Sequence, residues 1–388
     1  MKYDFDKQIN RRNTNSLKWD VAENELPMWV ADMDFQTAPE IISELEKRVS
    51  HGVFGYSTVP DEWTESYINW WENRHGYKME KDWLIFSAGV VPTISSCVRK
   101  LTTPAENVVI MTPVYNIFFN SILNNGRNVL ECPLRYNGGE YEIDFNDLKE
   151  KLENPQTSLL ILCNPQNPGG KIWGREELEK IGELCYKNGV TVIADEIHCD
   201  ITDPNCEYTP FASVSPLCQK ISVTCIAPTK AFNIAGLQTS AVSVPDPILR
   251  HKVWRALNTD EVAEPNVFAV NAAICAFNKG GEWLDELREY LYKNKCTVKK
   301  YLDENISKLK LMPSKATYLL WLDCSAYGVK SDKLADFIRK STGLFLSNGT
   351  QYGGNGHMFL RLNIACSEKT LLDGLDRLKR ALTEFEKI

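Results

Sequence analysis

Short apolar runs alternate with amphipathic segments through the middle of the chain. The runs are typical of short buried strands, at Trp83–Phe86, Val108–Met111, Leu159–Cys163, Val190–Ala194, Ile221–Ile226 and Ala241–Val244. The segments between them repeat apolar residues at helical spacing, at Pro92–Lys100, Tyr115–Leu123, Phe145–Leu152 and Glu176–Asn188. Continuous apolar strands that alternate with helices predict a mostly parallel sheet with helices on both faces.

The two ends of the chain carry a different pattern. Residues 1–45 hold an irregular apolar cluster followed by a helix, and the chain becomes strongly helical from Pro247. Strand-like runs follow at Tyr318–Leu322 and Phe359–Ile364, before a final amphipathic helix at Leu371–Phe385. We therefore predict an α/β fold with three parts: a large domain at 46–280, a smaller α/β domain at 281–388, and an N-terminal segment, 1–45, that packs on the smaller domain.

The composition is that of a globular protein, since 43% of the 388 residues are hydrophobic and 24% are charged. The formal net charge of −7 argues against a nucleic acid or an anionic membrane as the main partner. Residues 1–20 contain no apolar signal segment, and no apolar run is long enough to span a bilayer. The 12 cysteines form no Cys-x-x-Cys pair, so we expect free thiols in a reducing cytoplasm.

Polar side chains gather where the predicted strands end. Asn167 and Asp195 follow neighbouring strands, His198 lies shortly after Asp195, and Lys230 follows a third strand. Ligands of open α/β sheets bind beyond the carboxyl ends of the strands. These side chains are therefore candidates for a single site.

Each candidate also has an ordinary structural explanation. Lys230 could pack its stem while its ammonium group reaches water, or it could be an amine of lowered pKa that forms a Schiff base. Asp195 could cap the next helix or pair with a cation, and Asn167, between two prolines, could simply form a turn. Gly89, between a strand and a helix, could bring backbone N–H groups to a phosphate.

Together these residues fit one ligand, pyridoxal phosphate. This cofactor needs a lysine for its aldehyde, an acidic partner for its ring nitrogen and an anion site for its phosphate. It also needs a donor to its phenolic oxygen and a flat surface for its ring, which Asn167 and Tyr115 can supply.

The order of the motifs resembles the class I/II aminotransferase family of fold-type I pyridoxal-phosphate enzymes, with an aspartate-aminotransferase-like fold. The family pattern is carried by Asn164-Pro-Gln-Asn-Pro-Gly-Gly170, then Asp195, Lys230 and a late Arg361. Within the family the chain looks like the cystathionine β-lyase-like C–S lyase branch. The marks of that branch are Trp29-Val-Ala-Asp-Met-Asp-Phe35, Gly55-Tyr56, Asp195-Glu-Ile-His198, Lys230-Ala-Phe-Asn-Ile-Ala-Gly-Leu237 and Arg361-Leu-Asn-Ile-Ala-Cys366.

The resemblance implies a role for each candidate residue. Lys230 would bind the cofactor aldehyde and move protons, while Asp195 would pair with the ring nitrogen. Tyr115 would stack on the ring, Asn167 would donate to its phenolic oxygen, and Arg361 would bind the substrate carboxylate as a fork. The remaining cofactor contacts would come from Gly89, Val90, Thr229 and His198.

The resemblance also implies a homodimer, because Tyr56 would enter the site of the neighbouring subunit and contact the substrate there. Lys230, Tyr56 and Tyr115 are the candidates for protonating the leaving sulfur. Two features depart from the common aminotransferase pattern. His198 stands where many members have tyrosine, and Gln238 and Ala227 replace an arginine and a serine, which makes the predicted phosphate site less cationic than usual.

The reaction implied by the resemblance is α,β-elimination from L-cystathionine or a related L-cysteine S-conjugate, which yields a thiol, pyruvate and ammonia. An aminotransferase with the same residues is the alternative, because small differences in relative barriers separate the two outcomes. A non-catalytic protein on this fold is a third possibility, against which the complete residue set argues. We expect no metal, since His198, Cys199 and Cys206 lack a fourth ligand and the usual spacing.

Overall fold

The structure, a computed structural model, describes residues 2–387. The α-helices in this range are α1 (Pro39–His51), α2 (Asp61–His75), α3 (Val90–Leu101), α4 (Ile117–Leu123), α5 (Phe145–Leu152), α6 (Arg175–Lys187), α7 (Pro216–Ile221), α8 (Pro247–Thr259), α9 (Ala269–Lys279), α10 (Gly281–Asn305), α11 (Ser331–Thr342) and α12 (Glu368–Phe385). The strands are β1 (Leu26–Pro27), β2 (Leu84–Ser87), β3 (Asn107–Thr112), β4 (Asn128–Pro133), β5 (Arg135–Tyr136), β6 (Tyr141–Glu142), β7 (Thr157–Cys163), β8 (Thr191–Asp195), β9 (Ser222–Ile226), β10 (Ser240–Ser243), β11 (Lys310–Leu311), β12 (Leu319–Asp323), β13 (Leu344–Phe345), β14 (Ser347–Asn348) and β15 (Phe359–Asn363).

A seven-stranded sheet forms the centre of the molecule, in the order β2–β10–β9–β8–β7–β3–β4. Strands β4, β3, β7, β8 and β9 run parallel, whereas β10 is antiparallel to both of its neighbours. The prediction of an α/β fold with a mostly parallel sheet is therefore confirmed, with β10 as the reversed strand. The edge strand β4 had no counterpart in the prediction, because its residues are half-exposed and give no continuous apolar run.

Helices cover both faces of this sheet because alternate residues of each strand point to opposite sides. Leu160 and Val192 pack in one apolar cluster with Ile181 of α6. Ile161 and Ile193, the next residues along the same strands, pack in a second cluster that contains the buried face of α3. Burial on both sides explains why β7 and β8 read as unbroken apolar runs.

A second, antiparallel sheet is built from the C-terminal part of the chain, in the order β11–β12–β15–β14. The N-terminal segment reaches this part through β1, which pairs in parallel with β13 by matching Leu26 with Leu344. The backbone N–H of Asp34 also donates to the carbonyl of Ala365 at 2.8 Å. The predicted domain limits, 1–45, 46–280 and 281–388, stay predictions.

Aromatic and sulfur-containing side chains fill much of the interior. Trp63, Trp70 and Trp71 of α2 are buried in the core. All 12 cysteines are free thiols, and apart from Cys206 and Cys296 they are buried. Within residues 2–387, no helix combines the length and apolar character needed to cross a bilayer.

Candidate active site

A cavity of about 210 Å³ lies beyond the carboxyl ends of the parallel strands. Eight of the predicted site residues line it: Gly89, Val90, Tyr115, Asn167, Asp195, His198, Thr229 and Lys230. Arg361 adjoins the cavity through Asn167, whereas Tyr56 does not line it. The strand ends thus bring together residues that are far apart in sequence, as expected for an open α/β sheet.

Lys230 follows β9 and projects toward the N-terminal segment. Its Nζ donates a hydrogen bond to the backbone carbonyl of Ala31 at 2.6 Å. Removal from water lowers the pKa of Lys230 to about 8, and the neighbouring Arg361 adds to this, although the carboxylate of Asp32 opposes it. A lysine of this kind is partly neutral near neutral pH and can act as a nucleophile or a base.

Asp195 is the last residue of β8, and its side chain is almost fully buried. Its Oδ1 accepts a hydrogen bond from the backbone N–H of Ile197 at 3.2 Å. Burial raises the pKa of Asp195 to about 6. Within the described residues, no lysine, arginine or histidine nitrogen lies within 4.0 Å of this carboxylate. A buried carboxylate without a cationic partner is costly, so the cavity suits a ligand that carries positive charge.

Arg361 extends from the central strand β15 of the second sheet and is buried beside Asn167. Its Nη1 donates to Oδ1 of Asn167 at 3.2 Å, and its Nη2 donates to the carbonyl of Trp29 at 3.0 Å. Its Nε is buried and has no partner among the described residues. An arginine fixed in this way, with its Nε–H still free, is suited to bind a carboxylate. Since Oδ1 of Asn167 accepts from Arg361, Nδ2 of Asn167 is left to donate to a ligand.

His198 is buried in the wall of the same cavity. Burial, together with the positive charges of Lys230 and Arg361, lowers the pKa of His198 to about 3. The imidazole is therefore neutral at physiological pH. Its Nδ1 is buried without a partner in the described part of the chain, so it can accept from or donate to a bound ligand.

The N-terminus of α3 forms part of the cavity wall. Gly89 precedes the helix without any side-chain cap, and Val90 is its first residue. The first N–H groups of a helix have no partner within the helix and attract anions. Thr229 and Gln238 also line the cavity, and Lys230 is the one lysine or arginine among the lining residues that the structure describes.

The sequence matches the model of the family "aminotransferase class I and II" over residues 23–378. The chain belongs to this family. It is 46% identical over 386 residues to cystathionine beta-lyase PatB of Bacillus subtilis strain 168, with 98% of this chain and 100% of that protein covered.

Two solved structures superpose closely on this chain. Cystalysin from Treponema denticola, which contains a pyridoxal 5'-phosphate cofactor, has a TM-score of 0.96 and 33% identity, covering 99% of this chain and 100% of its own. The cofactor-bound C–S lyase from Staphylococcus hominis has a TM-score of 0.92 and 32% identity, covering 98% of this chain and 99% of its own. The family resemblance read from the motifs is thereby confirmed.

Tyr56 lies apart from the cavity, on the surface of the single chain. Its side chain is fully exposed, and Phe54 beside it is 57% exposed. Both border a separate surface groove that also includes Gln238 and Phe268. The predicted contact of Tyr56 with the active site of a neighbouring subunit stays a prediction.

Several contacts of the site involve groups that the motifs do not indicate. The carbonyls of Trp29 and Ala31 accept hydrogen bonds from Arg361 and Lys230. In the sequence, Trp29 and Ala31 are notable only as part of a motif of the lyase branch. Glu196, next to Asp195, is fully buried, and burial raises the pKa of Glu196 to about 7. A backbone carbonyl or a buried glutamate has no spacing signature of its own.

Within residues 2–387, one group of potential metal ligands occurs, in which atoms of His75, Cys199 and Asp200 lie within 4.8 Å of one another. Oδ1 of Asp200 is 2.9 Å from Nε2 of His75 and accepts from Nε1 of Trp70 at 2.9 Å. The carboxylate, the imidazole and the indole thus satisfy one another. His198 and Cys206, which were considered with Cys199 in the sequence, are not part of this group.

Proposed function

We propose that this chain is a pyridoxal-phosphate-dependent carbon–sulfur β-lyase. Its reaction is the α,β-elimination of L-cystathionine or related L-cysteine S-conjugates, which with one water yields a thiol, pyruvate and ammonia. The lyase outcome is supported by the 46% identity to a cystathionine beta-lyase over nearly the whole chain. The observation that carries the cofactor assignment is that Asp195 and Lys230 line the same cavity.

The cavity residues fit pyridoxal phosphate because each unsatisfied group has a counterpart on it. The Asp195 carboxylate lacks a cation, which a protonated ring nitrogen would provide. The Nδ1 atom of His198 is orphaned, and the α3 N-terminus at Gly89 and Val90 can hold a phosphate together with the hydroxyl of Thr229. Tyr115, half-buried in the wall, is placed to cover the ring.

Bound in this cavity, pyridoxal phosphate would supply an electron sink for the pair left when the substrate loses its Cα proton. Asp195 keeps this sink effective by holding a proton on the ring nitrogen, which burial of the carboxylate makes favourable. Lys230 takes the Cα proton as a general base, since its lowered pKa leaves a neutral amine available near pH 8.

Arg361 and Asn167 orient the substrate. The free Nε of Arg361, with one of its Nη groups, binds the substrate carboxylate as a fork, which places Cα beside Lys230. Asn167 fixes Arg361 through its Oδ1 and donates Nδ2 to the phenolic oxygen of the cofactor. Lys230, Tyr115 and Tyr56 remain the candidates for protonating the leaving sulfur. Burial raises the pKa of Tyr115 to about 12, so this phenol carries a proton at working pH.

The working enzyme is a homodimer in this proposal, with Tyr56 crossing into the neighbouring site to contact the substrate. The support is the exposure of an apolar segment around it, since Val53 and Phe54 are 62% and 57% exposed. Sedimentation velocity of the purified protein, with Phe54→Glu as the interface variant, tests the assembly. A monomeric, fully active wild type would contradict this part.

The function is tested by incubating the purified, cofactor-loaded protein with L-cystathionine and no 2-oxo acid. Continuous pyruvate formation, followed with lactate dehydrogenase, is expected of the lyase. Turnover that depends on added 2-oxo acid would instead make the protein an aminotransferase. A protein that shows no visible absorbance after incubation with pyridoxal phosphate would contradict the cofactor itself.

A further inference from the structure

The segment Trp29–Met33 passes over the cavity with its carbonyls pointing alternately to two sides. The carbonyls of Trp29 and Ala31 face the site, where they accept from Nη2 of Arg361 at 3.0 Å and from Nζ of Lys230 at 2.6 Å. The carbonyls of Val30 and Asp32 face away from these two cations. The backbone bends at residues 30–32, where the N–H of Asp32 donates to the carbonyl of Val30 at 3.0 Å.

Asn363 holds the two carbonyls that face away from the site. Its Nδ2 donates to the carbonyls of Val30 and Asp32, at 2.5 and 2.7 Å. Its backbone N–H donates to the carbonyl of Met28 at 2.9 Å, so three carbonyls of one short segment meet a single residue. Both donors of the buried amide are therefore committed to this segment.

The orientation of the Asn363 amide is itself fixed. Its Oδ1 accepts from the backbone N–H of Ala365 at 2.7 Å, which leaves Nδ2 directed at the segment. Asn363 is buried in β15 two positions after Arg361, so both side chains lie on the same face of the sheet. Strand β15 thus carries both Arg361 and Asn363, which holds the segment to which Arg361 donates.

We propose that Asn363 is a positioning residue that sets Arg361 and Lys230 relative to each other through the Trp29–Met33 segment. A shift of the segment moves the carbonyls of Trp29 and Ala31 together, and with them both cations. Misplacement of reacting groups by a fraction of the hydrogen-bond length is enough to slow a reaction strongly. This inference rests on the proposed function only for the roles of the two cations.

A second residue, Asn233, also holds this segment by hydrogen bonds and serves as a matched control. Asn233 donates its Nδ2 to the carbonyls of Met33 and Phe35, at 3.1 and 2.8 Å, and accepts from the N–H of Met33 at 3.0 Å. It therefore fixes the segment beyond the two carbonyls that contact the site. Asn233→Ala removes as many amide contacts as Asn363→Ala does, without freeing Trp29 or Ala31.

The first measurement uses the cofactor-free protein, in which no turnover occurs. Amide hydrogen exchange is followed in a peptide that covers residues 28–32. Asn363→Ala should speed exchange there about tenfold or more, because two buried hydrogen bonds are lost, whereas Asn233→Ala should act mainly on residues 33–35.

The second measurement uses the loaded protein. The dissociation constant of L-alanine, which has no sulfur to eliminate, is read from the visible absorbance. Asn363→Ala should raise it about tenfold, because Arg361 loses its fixed position, and should also slow exchange of the Cα proton of L-alanine in D₂O. Asn233→Ala should stay within about twofold of the wild type in both quantities.

Asn363→Ser keeps a hydroxyl that can donate one hydrogen bond, and it replaces Asn363→Ala if the latter does not fold. Intermediate effects in exchange and affinity are expected for it. The positioning role would be overturned if the Asn363 variants gave wild-type values in all measurements. It would also be overturned if Asn233→Ala lost as much L-alanine affinity and Cα-proton exchange as Asn363→Ala. Failure of the wild type to take up pyridoxal phosphate would instead refute the proposed function. The amide hydrogen exchange of the cofactor-free protein would then still test whether Asn363 holds the Trp29–Met33 segment.

Discussion

Replacing Asp195 by asparagine separates the cost of burying this carboxylate from its use by the cofactor. In the cofactor-free protein, burial raises the pKa of Asp195 from 3.8 to about 6. Such a group contributes its full share of stability below pH 3.8 and loses it as the pH rises through about 6. At pH 7.5 the loss amounts to about 3 kcal/mol in the free energy of unfolding.

Asp195→Asn removes this loss while keeping an oxygen that can accept from the N–H of Ile197. We therefore expect the cofactor-free variant to be more stable than the cofactor-free wild type at pH 7.5, by up to about 3 kcal/mol, and to show almost no gain at pH 4. The loaded variant should behave in the opposite way, because a buried cation on the cofactor would lose its counter-charge, at a cost of about 3–5 kcal/mol.

Urea denaturation of both proteins, with and without pyridoxal phosphate, at pH 4 and pH 7.5, measures these differences. Asp200→Asn is the control, because Asp200 is buried but satisfied by Trp70 and His75. It should destabilise the loaded and the cofactor-free protein alike, by about 1–3 kcal/mol. A cofactor-free Asp195→Asn variant that is less stable than the wild type at pH 7.5 would refute the reasoning.

Three further predictions follow from the site and the core. Arg361→Lys keeps the charge but loses the fork, so KM for the amino acid should rise about 10–100-fold in steady-state assays with the cofactor absorbance unchanged. Lys230→Ala should abolish the visible imine absorbance of the purified protein. In the wild type, the rate of pyridoxal phosphate uptake should increase as the pH rises through about 8, because the Lys230 amine loses its proton there. Trp63→Ala, at a side chain 1% exposed, should lower the free energy of unfolding by about 3–5 kcal/mol in urea, whereas Trp254→Ala, at 44%, should change it by about 0.5 kcal/mol or less.

The central strands were predictable because each is buried on both faces and therefore reads as an apolar run. Helix α5 was predicted with the bounds it has, Phe145–Leu152, since Asp144 caps it with two hydrogen bonds from backbone N–H groups. The reversed direction of β10 was not predictable, because an apolar run carries no sign of its direction. The edge strand β4 was not predicted, because its residues are only half-buried and form no continuous apolar run.

Some residues of the candidate site were likewise predictable from the sequence, and others were not. Asp195 ends strand β8, and Asn167 and Lys230 lie in the turns that follow β7 and β9, so topology alone places them at one edge of the sheet. The carbonyl of Ala31, which receives the hydrogen bond of Lys230, could not be predicted, because every residue has a carbonyl and only tertiary contact selects one. The role of Tyr56 depends on a second subunit and stays a prediction.

The burial of the cysteines has a consequence for an enzyme that releases thiols. Thiol–disulfide exchange requires a thiolate that an incoming sulfur can reach. Burial raises the pKa of Cys97 and of Cys324 to about 12, and the other buried sulfurs are likewise out of reach of solvent. Outside the cavity, whose wall includes Cys163, mixed disulfides with the oxidised, disulfide form of the product are thereby confined to Cys296 and the half-buried Cys206. Ten of the 12 sulfurs are thus buried away from any disulfide that the released thiol forms when it is oxidised.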